Sequence, residues 1–97
     1  MYNIVLTRQA VKDARKLEQA GLKPKSVILL KLIRQNPFQN PPSYEKLLGY
    51  EDMYSRRITI QHRLVYQVLP NDNREKDKTG IPFKGVVKII RMWTHYE

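Results

Sequence analysis

The pattern of apolar and polar positions predicts one strand and one helix at the start of the chain. Tyr2 to Leu6 is an apolar run of strand length. Thr7 belongs to the residue types that cap helix N-termini, and Gly21 to those that end helices. Between them, apolar residues recur at helical spacing, at Ala10, Val11, Ala14 and Leu17. We therefore predict a first strand over 2–6 and a helix that begins after Thr7.

The second predicted helix carries a wider apolar stripe. Pro24 fits the first turn of a helix, and Asn36-Pro37 ends it, because the residue before a proline disfavours helical geometry. Between them stand Val27, Ile28, Leu29, Leu30, Leu32 and Ile33. A stripe this wide predicts burial on more than one side. We expect this helix to be the central element of the core.

The fifteen residues from Tyr54 to Val68 predict two strands joined by a tight reversal. Side chains alternate between the faces of a strand, so residue parity sorts them. The expected core faces hold Tyr54, Ile58 and Ile60, then Leu64, Tyr66 and Val68. The opposite faces hold Ser55, Arg57 and Thr59, then Arg63, Val65 and Gln67. A sheet face that carries arginines is either bare to water or binds an anion.

The remaining segments complete an α+β fold. Residues Pro37 to Ser43 predict an irregular connector, and Tyr44 to Leu48 carries the isolated Glu45. Asn71 to Phe83 is a polar surface loop, and Gly85 to Tyr96 is a last strand that is apolar on both faces and therefore central. The order β-α-α-β-β-β predicts a mostly antiparallel sheet with two helices packed on one face. We expect residues 1–97 to form a single domain.

Charge points to a polyanionic partner. The chain has 97 residues and a formal net charge of +9, which favours nucleic acid, an acidic protein or an anionic membrane surface. No stretch approaches the roughly 20 apolar residues of a membrane span. Cysteine is absent, so disulfides, thiolate catalysis and cysteine metal sites are excluded. No signal peptide is visible, and a cytoplasmic location fits these features.

The titratable candidates for catalysis are few. They are His62, His95 and Glu45, whose sequence neighbours include apolar residues. No His/Asp/Glu cluster has metal-ligand spacing, and no phosphate-binding loop or nucleophile elbow is present. We therefore expect no metal and no cofactor. A metal-free ribonuclease stays open, because RNA supplies its own 2′-hydroxyl nucleophile and needs only a base, cations and an acid.

One set of motifs carries a family resemblance. Ser55-Arg56-Arg57-Ile58-Thr59, then His62-Arg63-Leu64-Val65-Tyr66, then His95-Tyr96 closely resembles the YoeB/Txe toxins of the RelE superfamily. Asn36-Pro37-Phe38 and Tyr44-Glu45-Lys46-Leu47 fit the same template in the same order. The resemblance implies a RelE-like fold. It also implies the toxin of a type II toxin–antitoxin system, a ribosome-dependent endoribonuclease that cuts mRNA in the decoding site.

The resemblance also implies roles for matching residues. Glu45 would be the general base for the 2′-hydroxyl, Arg63 would stabilise the phosphate in the transition state, and His95 would be the general acid. Arg57 would contact phosphate and Tyr96 would position the substrate. Lys46 is one candidate substitute for a lysine that the family often carries shortly after the glutamate, where this chain has Leu48. The loop 71–83 is longer than the tight hairpin typical of the family.

Three functions remain open from the residues themselves. The chain could be the ribonuclease, a non-catalytic basic inhibitor that binds RNA or the ribosome, or a domain whose charge binds an acidic protein. The resemblance implies the ribosome, mRNA and a cognate antitoxin as partners. The antitoxin is expected to contribute an acidic, partly disordered segment, and a homodimer is left open. Outside the catalytic set, parity assigns Arg56 and Tyr66 to the core side, and His62 is expected to order the turn.

Overall fold

The computed structural model describes residues 1–93, which form two helices and five strands. These are β1 (Asn3–Leu6), α1 (Arg8–Gln19), α2 (Lys23–Gln35), β2 (Glu45–Lys46), β3 (Met53–Arg57), β4 (Arg63–Leu69) and β5 (Val86–Arg91). The predicted elements are confirmed, and the short strand β2 is added to them. The predicted last strand was longer than β5, and its final residues lie outside the described part of the chain.

The five strands form one mixed sheet in the order β1-β5-β4-β3-β2. The pair β1–β5 is parallel, and the other three pairs are antiparallel. The predicted α+β class with a mostly antiparallel sheet is thereby confirmed. Strand β5 lies between β1 and β4, as its two apolar faces predicted. Strand β2 forms one edge, so its only ladder partner among the described residues is β3.

Helix α1 begins where the sequence predicts it. The hydroxyl oxygen of Thr7 accepts a hydrogen bond from the Ala10 amide at 3.1 Å, which satisfies one of the free amides of the first turn. The same hydroxyl donates to the Ile90 carbonyl at 2.9 Å. Thr7 therefore caps the helix and fastens its start to strand β5.

Both helices contribute to a single core on one face of the sheet. The fully buried hydrophobic residues from the helices are Ala10, Leu17 and Ile33, and those from β4 and β5 are Leu64, Tyr66, Val87 and Ile89. The cross-strand pairs Tyr66–Ile89 and Val68–Val87 show that these strand residues share one face. The prediction that two helices pack on one face is confirmed. The opposite face, which carries Glu45, Ser55, Arg57 and Arg63, is called the open face below.

Two expectations about burial were wrong. Helix α2 is not the central core element, because its main contacts with other described helices and strands are with α1 and β1 at one side of the sheet, and its Ile28 side chain is 68% exposed. Ile60 does not face the core with Tyr54 and Ile58. Strand β3 ends at Arg57, the chain reverses, and Ile60 lies on the turn with 90% of its surface exposed. Strand parity holds only as far as the strand itself.

The polar segment 71–83 is an ordered hairpin-like loop. The Asn71 side-chain amide donates to the carbonyls of Glu75 and Phe83 at 2.9 and 3.2 Å. Farther out, the Asp77 carboxylate accepts from the amides of Thr79 and Ile81 at 2.8 and 3.0 Å. The side chains of Asn71 and Asp77 thus bond to backbone groups of this loop, which has too few apolar residues to be ordered by packing against a core. Within residues 1–93, neither helix has the length and apolar character needed to cross a bilayer.

Candidate functional site

The hairpin β3–β4 places two arginines side by side on the open face. Its register pairs Arg57 directly with Arg63. The turn between them is closed by the Ile58 amide, which donates to the His62 carbonyl at 2.9 Å. The Thr59 hydroxyl accepts from the amides of Gln61 and His62 at 3.2 and 3.1 Å. Directly opposed like charges repel each other across a sheet. An anion bound between the two guanidinium groups would relieve this repulsion, so the pair forms a site suited to an anion.

Strand β2 brings Glu45 to the same arginines. Glu45 pairs with Ser55 in the ladder, and Ser55 shares the parity of Arg57, so Glu45 lies on the open face. The Arg63 Nη1 atom is 3.3 Å from Glu45 Oε2 and 3.4 Å from Ser55 Oγ. The predicted base and the predicted phosphate-binding cation, 18 residues apart in the sequence, are therefore in contact.

The two partners of this ion pair differ in exposure. The Arg63 side chain is 12% exposed, whereas that of Glu45 is 67% exposed. The guanidinium is thus held in place by its surroundings, while the carboxylate is open to an incoming molecule. The contact is longer than the 2.7–2.9 Å typical of a strong charge-assisted hydrogen bond. The arrangement can hold a phosphate on Arg57 and Arg63 and present one carboxylate oxygen beside it.

Of the remaining predicted site residues, Lys46 is described and is not brought to this contact. Lys46 pairs with Tyr54, so it lies on the opposite side of β2 from Glu45, and it is exposed. His95 and Tyr96 lie outside the described residues. The chain is described up to Trp93, whose ring stacks on the buried His62 ring with centroids 3.9 Å apart. His62 was expected to order the turn, and its ring also packs on Trp93, in the segment that follows β5.

Parity assigned Arg56 to the core side, but sequence reasoning did not identify the hydrogen bonds that this side chain makes there. It is 1% exposed, and its Nε donates to the Tyr66 hydroxyl at 3.0 Å. Burial raises the pKa of Tyr66, although the hydrogen bond and charge of Arg56 act in the opposite direction. Parity alone was a usable signal, because an arginine on a core face must find buried hydrogen-bond acceptors.

The described residues offer no metal-binding cluster. In residues 1–93, no three histidine, aspartate or glutamate side chains are close enough together to hold a metal ion. The groups gathered at the Arg63 contact are the Glu45 carboxylate, the guanidinium groups of Arg57 and Arg63, and the buried Ser55 hydroxyl. These are acid–base and electrostatic groups.

Comparisons with known proteins point to one family. No protein-family model matches the chain, and no curated protein matches it. Solved structures do match over nearly full length. A YoeB/ParE toxin from Agrobacterium tumefaciens has a TM-score of 0.76 at 25% identity, covering 97% of this chain and 99% of that one. The YoeB dimer from Staphylococcus aureus has a TM-score of 0.73 at 30% identity, covering 98% of both chains. A YoeB–YefM complex from the same organism has a TM-score of 0.69 at 31% identity, covering 99% of both.

Proposed function

The chain belongs to the YoeB family of RelE-superfamily toxins of toxin–antitoxin systems, and from this premise we propose that it is a ribosome-dependent mRNA endoribonuclease. Its action would inhibit translation by cutting mRNA in the decoding site, in the cytoplasm. The observation that carries the proposal is the Glu45–Arg63 contact on the open face, with Arg57 paired beside Arg63. A protein that only binds phosphate has no need for a carboxylate at that place, because the carboxylate would repel the ligand.

The proposed mechanism uses the nucleophile that RNA carries. Glu45 removes the proton from a 2′-hydroxyl, and the resulting oxygen attacks the adjacent phosphorus. Arg63, with Arg57 next to it, stabilises the negative charge that accumulates on the phosphorane oxygens. An acid then donates a proton to the departing 5′-oxygen, which leaves a 2′,3′-cyclic phosphate and a 5′-hydroxyl. We assign the acid to His95 and substrate positioning to Tyr96, on the strength of the family motif.

The geometry supports a separate task for Arg63 and for Glu45 in this mechanism. Arg63 is largely buried and therefore loses little orientational freedom when a phosphate binds. Glu45 is exposed and can exchange its contact with Arg63 for one with the 2′-hydroxyl when the phosphate occupies the guanidinium. We infer that the ribosome supplies the alignment of the mRNA, because proximity and orientation account for a large part of the rate in such reactions.

The proposed protein partners follow from charge and from the relatives. A net charge of +9 favours an acidic antitoxin segment that folds on binding. The solved relatives include a YoeB–YefM complex and a YoeB dimer from Staphylococcus aureus. We propose a cognate antitoxin of that acidic type as the inhibitor, and a homodimer as the state of the free toxin. Size-exclusion chromatography with light scattering, with and without the antitoxin, tests both.

A primer-extension assay on mRNA bound to ribosomes tests the enzymatic proposal. Wild type is compared with Glu45→Ala, Arg63→Ala and His95→Ala. We expect cleavage by wild type and its loss in all three variants. Stalled translation with intact mRNA, even with wild type, would identify a non-catalytic inhibitor that binds RNA or the ribosome. If His95→Ala alone keeps activity, the nuclease stands and the acid is a different group.

A further inference from the structure

Arg56 is a buried cation whose bonds converge on one segment of the chain. Its Nη1 donates to the Pro42 carbonyl at 2.7 Å, and its Nη2 donates to the carbonyls of Pro37 and Gln39 at 2.9 and 2.7 Å. The Tyr66 hydroxyl, which accepts from Arg56 Nε, itself donates to Pro37 at 2.8 Å. Burying a guanidinium is costly unless its donors are satisfied. Here both terminal nitrogens, Nη1 and Nη2, donate to backbone carbonyls of residues 37–42.

Residues 37–42 have no helix or strand to hold them. They join the end of α2 to the start of β2, and their carbonyls would otherwise need partners in water or in a ladder. The planar fork of a guanidinium can hold several carbonyls at fixed relative positions, which a lysine ammonium or an apolar side chain cannot do. Arg56 therefore fixes the path along which the chain approaches Glu45.

Tyr44 continues this path to the site. The Arg56 guanidinium carbon lies 4.8 Å from the centroid of the Tyr44 ring, within the range of a cation–π contact. The Tyr44 ring also packs edge-on against Tyr54, with centroids 5.9 Å apart. Tyr44 directly precedes Glu45. An anchored residue on one side of the backbone sets the direction of the next side chain on the other side.

Strand β2 alone is too short to set that direction. It comprises two residues on the edge of the sheet, paired only with Ser55 and Tyr54 among the described residues. Ladders this short are marginal without packing. The position of Glu45 beside Arg63 therefore needs the contacts made by the residues just before it, from 37 to 44.

We propose that Arg56, acting through the carbonyls of residues 37–42 and the Tyr44 ring, is a positioning residue for the general base Glu45. This inference rests on the proposed ribonuclease function. Arg56 lies on the core side of β3 and Glu45 on the open face, so its effect is transmitted through the backbone and not by direct contact. Displacing a reacting group by about 1 Å can cost a hundredfold in rate.

Variants at Tyr44 test the proposal without removing the buried charge. Tyr44→Leu removes the ring that Arg56 covers, and Tyr44→Phe keeps it. In mRNA cleavage on programmed ribosomes, we expect Tyr44→Leu to lower kcat about tenfold to a hundredfold with little change in KM. Tyr44→Phe, which keeps the ring, should retain the wild-type kcat. Ile33→Val, a core change remote from the site, serves as a control for lost stability and should leave kcat unchanged.

Amide hydrogen exchange supplies a readout that does not depend on activity. The Leu47 amide donates to the Met53 carbonyl at 2.9 Å and belongs to the β2–β3 pairing. We expect faster exchange at residues 45–47 in Tyr44→Leu and in Arg56→Lys, but not in Ile33→Val. Arg56→Lys keeps the charge and loses the fork.

The outcomes separate this inference from the function on which it rests. Unchanged kcat in Tyr44→Leu, with wild type active, overturns the positioning role and leaves the nuclease intact. Unchanged exchange at residues 45–47 in both variants overturns it as well. A wild type that never cleaves mRNA overturns the ribonuclease and this role together.

Discussion

The carboxylate of Asp13 accepts a hydrogen bond at 3.0 Å from the backbone amide of Met92, a residue 79 positions later in the chain. It also accepts from the Trp93 amide at 3.2 Å and from the Gln9 side chain at 2.9 Å. The Arg91 guanidinium is 3.5 Å away. Asp13 is fully buried, so a single helix side chain fixes the backbone of the two residues that follow β5.

Asp13 should make stability fall in acid. Burial raises its pKa, but the bonds from Met92, Gln9 and Trp93 and the charge of Arg91 outweigh burial and lower it overall. A lowered pKa contributes stability that is complete above the unfolded-state value, about 3.9, and is lost as pH falls through the folded-state value. We expect Asp13→Asn to cost about 1–3 kcal/mol at pH 7.

Urea unfolding from pH 7 to pH 3 measures this effect. The difference between wild type and Asp13→Asn should shrink as the pH drops below about 4, because the Asp13 carboxylate of the unfolded chain takes up a proton before that of the folded chain, whose pKa is lowered. Glu18→Gln, on the exposed side of the same helix, should change stability by less than about 0.5 kcal/mol. A constant difference across the range would show that the charge of Asp13 is irrelevant to its role.

The two arginines of the open face should differ in their kinetic effects. Arg63→Ala removes the largely buried cation in contact with Glu45, and we expect kcat to fall about 100-fold to 1,000-fold. Arg57 is exposed, and we expect Arg57→Ala to act mainly on KM, by about tenfold. Single-turnover cleavage on programmed ribosomes separates the two parameters.

Arg15→Ala is the matched control for lost charge, because Arg15 is exposed on α1, on the helix side of the sheet. Its cleavage rate should stay within about twofold of wild type. Equal losses in Arg15→Ala and Arg63→Ala would mean that overall charge, and not the site, governs activity.

Binding to RNA should weaken steeply with salt. Each phosphate contacted releases condensed counterions, so the logarithm of the binding constant falls linearly with the logarithm of salt concentration. We expect Arg57→Ala to reduce that slope by about one. Gln61→Ala, at the neutral and exposed turn, should leave it unchanged. Fluorescence anisotropy with single-stranded RNA gives the slopes, and a flat salt profile for wild type would favour an acidic protein as the main partner.

Two isoleucines test the observed core against the expected one. Ile33 is fully buried and Ile60 is 90% exposed. Ile33→Ala should lower the free energy of unfolding by about 2–5 kcal/mol, through lost burial and a residual cavity. Ile60→Ala should change it by less than about 0.5 kcal/mol. Thermal or urea unfolding measures the free energy of unfolding of the two variants. A large loss of stability in Ile60→Ala would contradict the exposed position of that side chain.

The sequence predicted those parts of the molecule that local geometry dictates. Thr7 capped the helix that follows it, because capping depends on residues within one turn. Parity placed Arg57 and Arg63 on one face, since side chains alternate along any strand. Parity failed at Ile60 because the strand ended three residues earlier, and a reversal has no fixed alternation. The wide apolar stripe of α2 likewise did not predict how much of the helix is buried, because burial depends on which other elements pack against it.

The sequence by itself therefore determined both helices, four of the five strands, the faces of residues within those strands and the motif that resembles the family. Only the tertiary structure decided which distant groups meet. Glu45 contacts Arg63 because β2 pairs with β3 beside β4, and Asp13 holds Met92 because α1 packs against β5. Periodicity is a property of the local backbone and can be derived from neighbours. A contact between separate segments depends on how the intervening chain is packed, which no single segment encodes.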